Sequence, residues 1–290
     1  MCQVTCLDAV AGECRWTIDL VVQYGTTVPQ WYAGQCPLID GDRVILAPGG
    51  KNALLLAVDL KTGRPLWQTP NERRWEMTHV SVMPQTIKGR RTYVYCGSGG
   101  VMGVDALTGQ RLWETMDWTL CGGIATVPSP VCLPDGRVFL CGGYNAGSLM
   151  LQVNEVGGTF TAQPRFRLKA REFSSTQHTP ILFRDHLYGV RENDKELVCL
   201  NLDGKVIWRS GTGRRFSLGR GPYLIADELL FVLDEEGELT IAEASPSRYK
   251  ELGRAKVLEG PDAWGPMALV AGRLLARDTG RLVCLDVRQP

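Results

Sequence analysis

The chain has 290 residues, with 32 Lys or Arg against 31 Asp or Glu, so its net charge at pH 7 is +1. This balance, without any run of five basic residues, does not favour a nucleic acid partner. No run of 18 apolar residues is present, so no transmembrane segment is expected, and residues 1–6 lack the basic and apolar pattern of a signal peptide.

Short apolar, β-prone runs separated by Gly, Asp and Pro turns predict strands along the whole chain. Two strands at 4–7 and 15–20 are followed by a loop from 21 to 35, and no helix longer than two turns is predicted. Five units of four strands in antiparallel meander order come next, and a final unit has only three. The predicted strands of these units are 36–39, 43–47, 53–59 and 66–69; 80–87, 92–96, 101–105 and 112–116; 126–133, 137–141, 148–153 and 159–168; 179–183, 186–190, 196–201 and 206–209; 222–226, 229–234, 239–243 and 252–258; and 266–270, 273–277 and 281–287.

One motif recurs in these units. Residues 54–67 read as an apolar strand, a turn containing Asp59 and Gly63, and a second strand that carries Trp67. Gly63 supplies the positive φ that the turn needs. Near copies lie at 101–113 and 4–16, a shortened copy at 197–208 and a half copy at 280–286. Asp59 and Asp105 are 46 residues apart, and such a period with several strands per unit indicates a propeller whose sheets must stack.

The motif resembles the PQQ-like (quinoprotein-like) β-propeller repeat, in which an apolar strand ending in Asp is followed by Thr-Gly and then Trp. The resemblance implies an all-β fold of four-stranded antiparallel blades, with six to eight blades in total. Five are complete here, with partial blades at both ends, in one domain over 1–290. Because the family's usual count is eight, an N-terminally truncated chain is expected. The alternative is a six-bladed ring closed by pairing residues 15–20 with 281–287.

The resemblance implies two kinds of function, since the family includes quinoprotein alcohol dehydrogenases and a lipoprotein scaffold of the outer-membrane β-barrel assembly machinery. The dehydrogenases use adjacent cysteines and a calcium-binding Glu, Asn and Asp set, and neither can be assigned here. The turn residues Asn193-Asp194 and Asp234-Glu235-Glu236 are interpreted as solvated. The preferred hypothesis is therefore a non-enzymatic scaffold that binds a protein or small-molecule ligand, and the alternative is a PQQ-dependent oxidoreductase.

No cofactor or metal is predicted from the residues, and PQQ and calcium follow from the resemblance alone. Most family members are exported, so the protein is expected in the periplasm or another extracytoplasmic compartment if an upstream export signal is missing, and in the cytoplasm otherwise. The ten cysteines include no Cys-x-x-Cys, and three histidines are few for a zinc site. Cys6, Cys199 and Cys284 share one strand position and are interpreted as small buried residues. A disulfide between Cys132 and Cys141 is kept as an alternative to two thiols.

A ligand site is predicted at one mouth of the central channel, where the segments leading into the first strand of each blade should meet. Most of these segments carry small residues. The exceptions, which form the candidate site, are His178, Gln177, Arg220, Trp264, His79 and Trp31. Imidazole, guanidinium, amide and aromatic groups together would make a polar and stacking site. The alternative is that Trp31 and Trp264 pack between blades, and that His178 and Arg220 satisfy loop carbonyls.

Overall fold

The computed structural model describes residues 2–211, 216 and 219–288. Over these residues the backbone forms short antiparallel strands joined by tight turns, with one short α-helix and one 3-10 turn at Cys121–Gly123. The chain divides into two compact units, Met1–Arg167 and Leu168–Pro290.

Among its described residues, the first unit contains a two-stranded sheet and three four-stranded sheets. The two-stranded sheet pairs β1 (Gln3–Leu7) with β2 (Cys14–Asp19), and helix α1 (Leu20–Tyr24) follows it directly. Each four-stranded sheet arranges its strands in chain order. These strands are β3 (Leu38–Asp40), β4 (Arg43–Leu46), β5 (Leu55–Asp59) and β6 (Pro65–Thr69); β7 (Met83–Ile87), β8 (Arg90–Gly97), β9 (Gly100–Asp105) and β10 (Arg111–Thr115); and β11 (Val131–Cys132), β12 (Arg137–Gly142), β13 (Gly147–Val156) and β14 (Thr159–Leu168).

The second unit contains two four-stranded sheets and, at its end, a three-stranded sheet, again among the described residues. Its strands are β15 (Ile181–Phe183), β16 (His186–Val190), β17 (Leu197–Asn201) and β18 (Val206–Arg209); β19 (Tyr223–Ala226), β20 (Leu229–Leu233), β21 (Glu238–Glu243) and β22 (Glu251–Lys256); and β23 (Ala268–Val270), β24 (Arg273–Arg277) and β25 (Leu282–Asp286). Five four-stranded sheets with incomplete sheets on either side confirm the predicted all-β fold of propeller blades.

The second and third strands of each four-stranded sheet carry the apolar core. In β5 the first four residues are fully buried, whereas most of β6 is exposed. Strands covered on both faces read as continuous apolar runs, and strands covered on one face alternate. Within each unit the middle strands therefore lie in the interior, and the fourth strands are more exposed.

The recurring motif folds into one turn shape. The Asp59 carboxylate accepts hydrogen bonds from the Lys61 and Thr62 amides, at 3.1 and 2.8 Å, and from the Thr62 hydroxyl at 2.7 Å. Gly63 lies at φ 70° and donates its N–H to the Asp59 carbonyl at 2.9 Å. These hydrogen bonds hold the pKa of the Asp59 carboxyl below its ordinary value, with the Thr62 hydroxyl as the largest cause. Asp105, Thr108 and Gly109 repeat the same contacts.

Within the first unit, the motif's tryptophan joins one sheet to the next. The Trp67 indole N–H donates to the Ala106 carbonyl at 3.2 Å, and a Cβ on Gly109 would lie 2.3 Å from the Trp67 ring. Trp16 makes the same contacts one sheet earlier, with Leu60 and Gly63. The glycine is thus required by the neighbouring tryptophan as well as by the turn.

Two strand predictions need correction. The predicted strand 15–20 ends at Asp19, and part of the predicted loop 21–35 is helix α1, because the Asp19 carboxylate caps the Val21 and Val22 amides at 3.0 and 3.1 Å. Gly25 ends this helix at φ 67°.

The first strands of several sheets are also shorter than predicted; β7 begins at Met83 and β11 at Val131. The residues before them bond through side chains instead, as where the Ser81 amide donates to the Ser129 hydroxyl at 3.0 Å.

The predictions for the cysteines are correct at some positions and wrong at others. All ten cysteines lie within the described residues, and no disulfide joins any of them. The hairpin register places Cys132 opposite Val138 and not opposite Cys141, which rules out the alternative disulfide in this structure. Cys199 is fully buried as predicted, whereas Cys284, in the same strand position, is exposed because no fourth strand covers β25 among the described residues.

Candidate functional site

In the second unit, three predicted site residues lie next to one another, each in the segment before the first strand of its sheet. His178 precedes β15, Arg220 precedes β19 and Trp264 precedes β23. The His178 Nε2 lies 2.6 Å from the Arg220 carbonyl oxygen. The Arg220 guanidinium stacks over the Trp264 ring, with its Cζ 5.0 Å from the ring centroid. One residue from each of three successive segments therefore forms a continuous chain of contacts.

The His178 Nε2 carries a proton, since the Arg220 carbonyl opposite can only accept a hydrogen bond. Burial lowers the pKa of the His178 imidazole, and the hydrogen bond to the Arg220 carbonyl opposes this effect. The ring meets Tyr223 edge-on, with centroids 5.7 Å apart. The His178 carbonyl accepts hydrogen bonds from the Ser175 and Tyr223 hydroxyls at 2.7 and 3.3 Å.

Arg220 and Trp264 are the accessible part of this arrangement. The Arg220 side chain is 41% exposed, and its Nε lies 3.9 Å from the buried carboxylate of Glu235. Glu235 stands in the turn between β20 and β21, so this turn supplies the charge that faces the guanidinium. We name Arg220, Trp264 and Glu235 the Arg–Trp patch. It offers a planar cation over an aromatic ring, and the cation is partly exposed to solvent.

The neighbouring turn between β16 and β17 contains a buried ion-pair network. Arg191 is 1% exposed, and its guanidinium contacts the Asp194 carboxylate and, at 3.2 Å, the Glu196 carboxylate. Thr176, two residues before His178, donates its hydroxyl to Glu192 of the same turn at 3.0 Å. The turn therefore supports the segment that carries His178.

The interpretation of the turn carboxylates as solvated was wrong at three positions. Asp234 and Glu235 are buried, and Asp194 is paired with the buried Arg191. Desolvation raises the pKa of the Asp234 carboxyl, against hydrogen bonds from the backbone that lower it. Sequence reasoning missed these residues because it treated each turn alone. For Asp194 the available signal was an arginine directly after a buried strand, followed within a few residues by two carboxylates.

In the first unit, Trp31 and His79 form a separate pair. Their ring centroids are 6.5 Å apart and tilted by 36°. Trp31 is 59% exposed at φ 62°, whereas His79 lies against Gly34, where a Cβ would come within 3.1 Å of Nδ1. Burial lowers the pKa of His79, and a hydrogen bond with the Gln30 backbone opposes this.

The structure thus groups three predicted residues in the second unit and two in the first, and Gln177 is half-buried beside His178. The contacts of His178 and Trp264 join neighbouring segments, as the packing alternative predicted. A role of all six residues in one ligand site stays a prediction.

A cavity of about 470 Å³ in the first unit was not found by sequence reasoning. Its charged lining residues are Lys51, Arg74 and Glu76, and Gly49 and Gly50 form part of its wall. A Cβ on Gly49 would lie 2.2 Å from the Met77 amide nitrogen, so the glycine allows two loops to approach closely.

The described residues contain neither a cluster of metal ligands nor a long apolar helix. No three His, Cys, Asp or Glu side chains group there in a way that could hold a metal ion. No helix among them is long and apolar enough to cross a membrane.

Comparison with known protein sequences identifies the family of this chain. The family model described as "Outer membrane protein assembly factor BamB" matches residues 2–203. Outer membrane protein assembly factor BamB of Burkholderia pseudomallei (strain K96243) is 32% identical over 124 residues, which is 39% of this chain and 29% of that protein. The matched segment thus spans less than a third of that relative.

Solved structures show the same fold. BamB from Moraxella catarrhalis superposes with a TM-score of 0.65 at 18% identity, covering 97% of this chain and 75% of the other. Quinohemoprotein alcohol dehydrogenase from Comamonas testosteroni gives 0.63 at 12% identity, covering 87% and 52%. At these identities the likeness concerns the β-propeller fold, and it confirms the resemblance inferred from the repeat.

Proposed function

Because this chain belongs to the family of the outer membrane protein assembly factor BamB, we propose that it is a protein-binding scaffold in the assembly of outer membrane proteins. The protein acts by presenting the loops between its strands to a partner, and no chemical step is assigned to it. In this role it works outside the cytoplasm, and its ligand is a protein and not a small molecule.

The Arg–Trp patch is the observation that carries the choice of surface. Arginine and tryptophan are among the residues that contribute most to protein interfaces, because they combine a large apolar area with hydrogen bonding. The Arg220 guanidinium already lies over Trp264, with its Cζ 5.0 Å from the ring centroid, so less side-chain entropy is lost on binding. The carboxylate of Glu235 lies 3.9 Å from the Arg220 Nε.

Copurification tests this proposal. The protein carrying an affinity tag is expressed in its own host, and subunits of the outer-membrane β-barrel assembly machinery are quantified by mass spectrometry in the eluate. Arg220→Ala and Trp264→Ala should each reduce their recovery roughly tenfold, as for residues that dominate an interface. Recovery at the wild-type level in both variants would contradict the choice of surface, and absence of the machinery from the wild-type eluate would contradict the function.

A matched control exists in the same unit. Arg184 stacks on Phe183, 5.1 Å from the ring centroid, and contacts Glu228, but it lies in the turn between β15 and β16. Arg184→Ala removes the same chemistry from another turn, and recovery should stay unchanged. We also propose that the scaffold needs no resident cofactor, so that recovery is equal with and without added PQQ and calcium.

A further inference from the structure

The cavity of about 470 Å³ in the first unit belongs to the complete sheet β3–β6 and not to the edge of an incomplete one. Three segments around this sheet line it: one follows helix α1, the second joins β4 to β5, and the third follows β6. The lining residues are Gly25, Thr27, Gly49, Gly50, Lys51, Asn71, Arg74 and Glu76. Apart from the glycines they are polar or charged, so the cavity suits a polar ligand, and its volume lies in the range of small-molecule sites.

The buried Asn71 side chain fixes two of the three segments relative to each other. Its amide nitrogen donates to the Gly50 and Trp75 carbonyls, both at 2.8 Å, and its oxygen accepts from the Trp75 N–H at 2.9 Å. These bonds enclose Arg74, which adopts φ 55°, a left-handed conformation that non-glycine residues seldom adopt. The fold itself therefore places Arg74 on the wall of the cavity.

Lys51 and Glu76 are also positioned by contacts of their own segments. A Cβ on Gly25 would lie 3.2 Å from the Lys51 Cγ, so the lysine stem passes over the glycine that ends helix α1. The Glu76 N–H donates to the Ser98 hydroxyl at 2.8 Å, and the Glu76 carbonyl accepts from the Ser98 N–H at 3.1 Å. Each charged side chain thus starts from a backbone that is held by its neighbours.

The three charged groups of the cavity have no partners in the part of the chain that the structure describes. The Lys51 ammonium, the Arg74 guanidinium and the Glu76 carboxylate form no ion pair or hydrogen bond there, either with one another or with other residues. The residue next to Arg74 differs, because Arg73 donates to the Glu114 carboxylate at 3.0 and 2.6 Å. The charges of Lys51, Arg74 and Glu76 are therefore available to a ligand.

Two cations and one carboxylate are complementary to a ligand that carries the opposite charges. A guanidinium or an ammonium binds a carboxylate through charge-assisted hydrogen bonds. An ionised carboxylate only accepts hydrogen bonds, so Glu76 favours an ammonium group. We propose that this cavity binds a small zwitterion with two carboxylates and one ammonium, of the class of the acidic amino acids, through Lys51, Arg74 and Glu76.

This inference goes beyond the proposed scaffold function, because the cavity lies in the first unit and the Arg–Trp patch in the second. A small ligand is favoured over a protein segment, since a protein interface needs aromatic or apolar residues at its centre and the lining of this cavity has none.

Titration calorimetry tests the proposal on the protein purified from its own host, so that the natural chain is present. The probes are L-glutamate and glutarate, which has the same two carboxylates without the ammonium. L-Glutamate should bind roughly tenfold more tightly than glutarate, because only L-glutamate offers a charged donor to Glu76. Absence of L-glutamate binding at millimolar concentration would overturn the proposal, and this is also the result expected if another part of the natural chain fills the cavity.

Substitutions at the charged residues test which ligand group each one binds. Arg74→Gln and Lys51→Gln should each weaken the binding of both probes roughly tenfold. Glu76→Gln should lower the affinity for L-glutamate to that for glutarate, without weakening glutarate. Equal losses for the two probes in Glu76→Gln would contradict the assignment of the ammonium. All three side chains are exposed, so the variants should fold.

Arg73→Gln is the matched control. It removes the neighbouring guanidinium, whose partner is Glu114 and which does not line the cavity, so the binding of both probes should stay at the wild-type level. Equal losses in Arg73→Gln and Arg74→Gln would reflect general charge and would overturn the site. Tighter binding of inorganic phosphate than of L-glutamate would overturn the zwitterion as the ligand class.

The copurification experiment separates this proposal from the scaffold function. Arg74→Gln should leave the recovery of the assembly machinery unchanged. If L-glutamate fails to bind while recovery depends on the Arg–Trp patch, the proposed ligand is wrong and the scaffold function stands. Loss of recovery in Arg74→Gln, with unchanged recovery in Arg73→Gln, would assign the cavity to a partner protein and would overturn the small ligand.

Discussion

The His178 imidazole connects two backbone segments of the second unit. Its Nε2–H donates to the Arg220 carbonyl, and its own carbonyl accepts from Ser175 and Tyr223. A second proton would place a charge in this partly buried site, which is why burial lowers the pKa of the ring. The Nε2–H bond therefore joins the Arg–Trp patch to the segment that carries His178.

We expect the stability of the second unit to depend on pH through this residue. The folded pKa of His178 lies below the value of about 6.5 for an unfolded chain, so the unfolded state binds more protons between the two values. The free energy of unfolding should fall as pH drops through about 6.5, and the fall should end below the folded pKa. Urea titrations at pH 7.5 and 5.5 measure the change.

His178→Gln keeps an N–H donor for the Arg220 carbonyl without a titrating group, and should show a smaller loss between the two pH values. His79→Gln should reduce the loss independently, because burial also lowers the pKa of His79, in the first unit. A wild-type pH dependence in the His178→Gln protein would show that the imidazole is not buried as described.

The composition of the candidate site was predictable, and its internal contacts were not. Aligning the segments before each first strand found His178, Arg220 and Trp264, which the structure places in contact. Glu235 was missed as a partner of Arg220 because the turn that carries it comes from another part of the sheet. Linear spacing within one turn does not reveal which segment faces it.

At the scale of the element, the motif is a contact between sheets as much as a turn. The Trp67 ring lies on Gly109 and bonds the Ala106 carbonyl of the next sheet. The sheet after β10 lacks the motif, and correspondingly the buried Trp113 Nε1 has no hydrogen-bond acceptor among the described residues. The residues of the repeated motif are thus the ones that form the contacts between neighbouring sheets.

Gly109→Ala, compared with Gly12→Ala, should distinguish the two reasons for a glycine in the motif, which are the positive φ of the turn and the close approach of the tryptophan ring. Gly109 and Gly12 have the same φ of 71° at the same motif position, but a Cβ would meet the Trp67 ring at 2.3 Å on Gly109 and nothing within 4 Å on Gly12. Gly12→Ala should cost about 1–2 kcal/mol through its left-handed backbone. Gly109→Ala should cost about 1–3 kcal/mol more, because the ring must move. Chemical denaturation of both variants measures the difference, and equal losses would show that the tryptophan contact is dispensable.

Strands were predicted correctly where the apolar pattern is continuous. The predictions were wrong where polar side chains form the hydrogen bonds to the backbone. The middle strands β5 and β17 match their predictions within two residues. The first strand β11 shrinks to two residues, and helix α1 replaces part of a loop. In α1 the signal was an aspartate before Leu20 and a glycine at its end, the two caps of a short helix.

At the scale of the whole molecule, the incomplete sheets decide which cysteines are accessible. Cys199 is covered by Trp208 of the fourth strand, whereas Cys284 has no fourth strand beside it among the described residues. The thiols at equivalent places in the repeat are therefore chemically different. Burial raises the pKa of Cys199 to about 11 and that of Cys132 to about 12, which keeps both thiols protonated at neutral pH.

Thiol labelling should divide the ten cysteines into groups. We expect fast reaction with a thiol reagent at pH 8 at the three exposed positions, Cys14, Cys36 and Cys284. Cys96, Cys141 and Cys199 are buried, and should react only when the protein unfolds. Mass spectrometry after a short exposure, with and without denaturant, identifies the labelled residues. Cys284→Ser should remove one fast site and leave the others unchanged. If Cys284 is protected in the native protein while Cys14 reacts, a strand covers the edge of β25, and the three-stranded sheet is complete in solution.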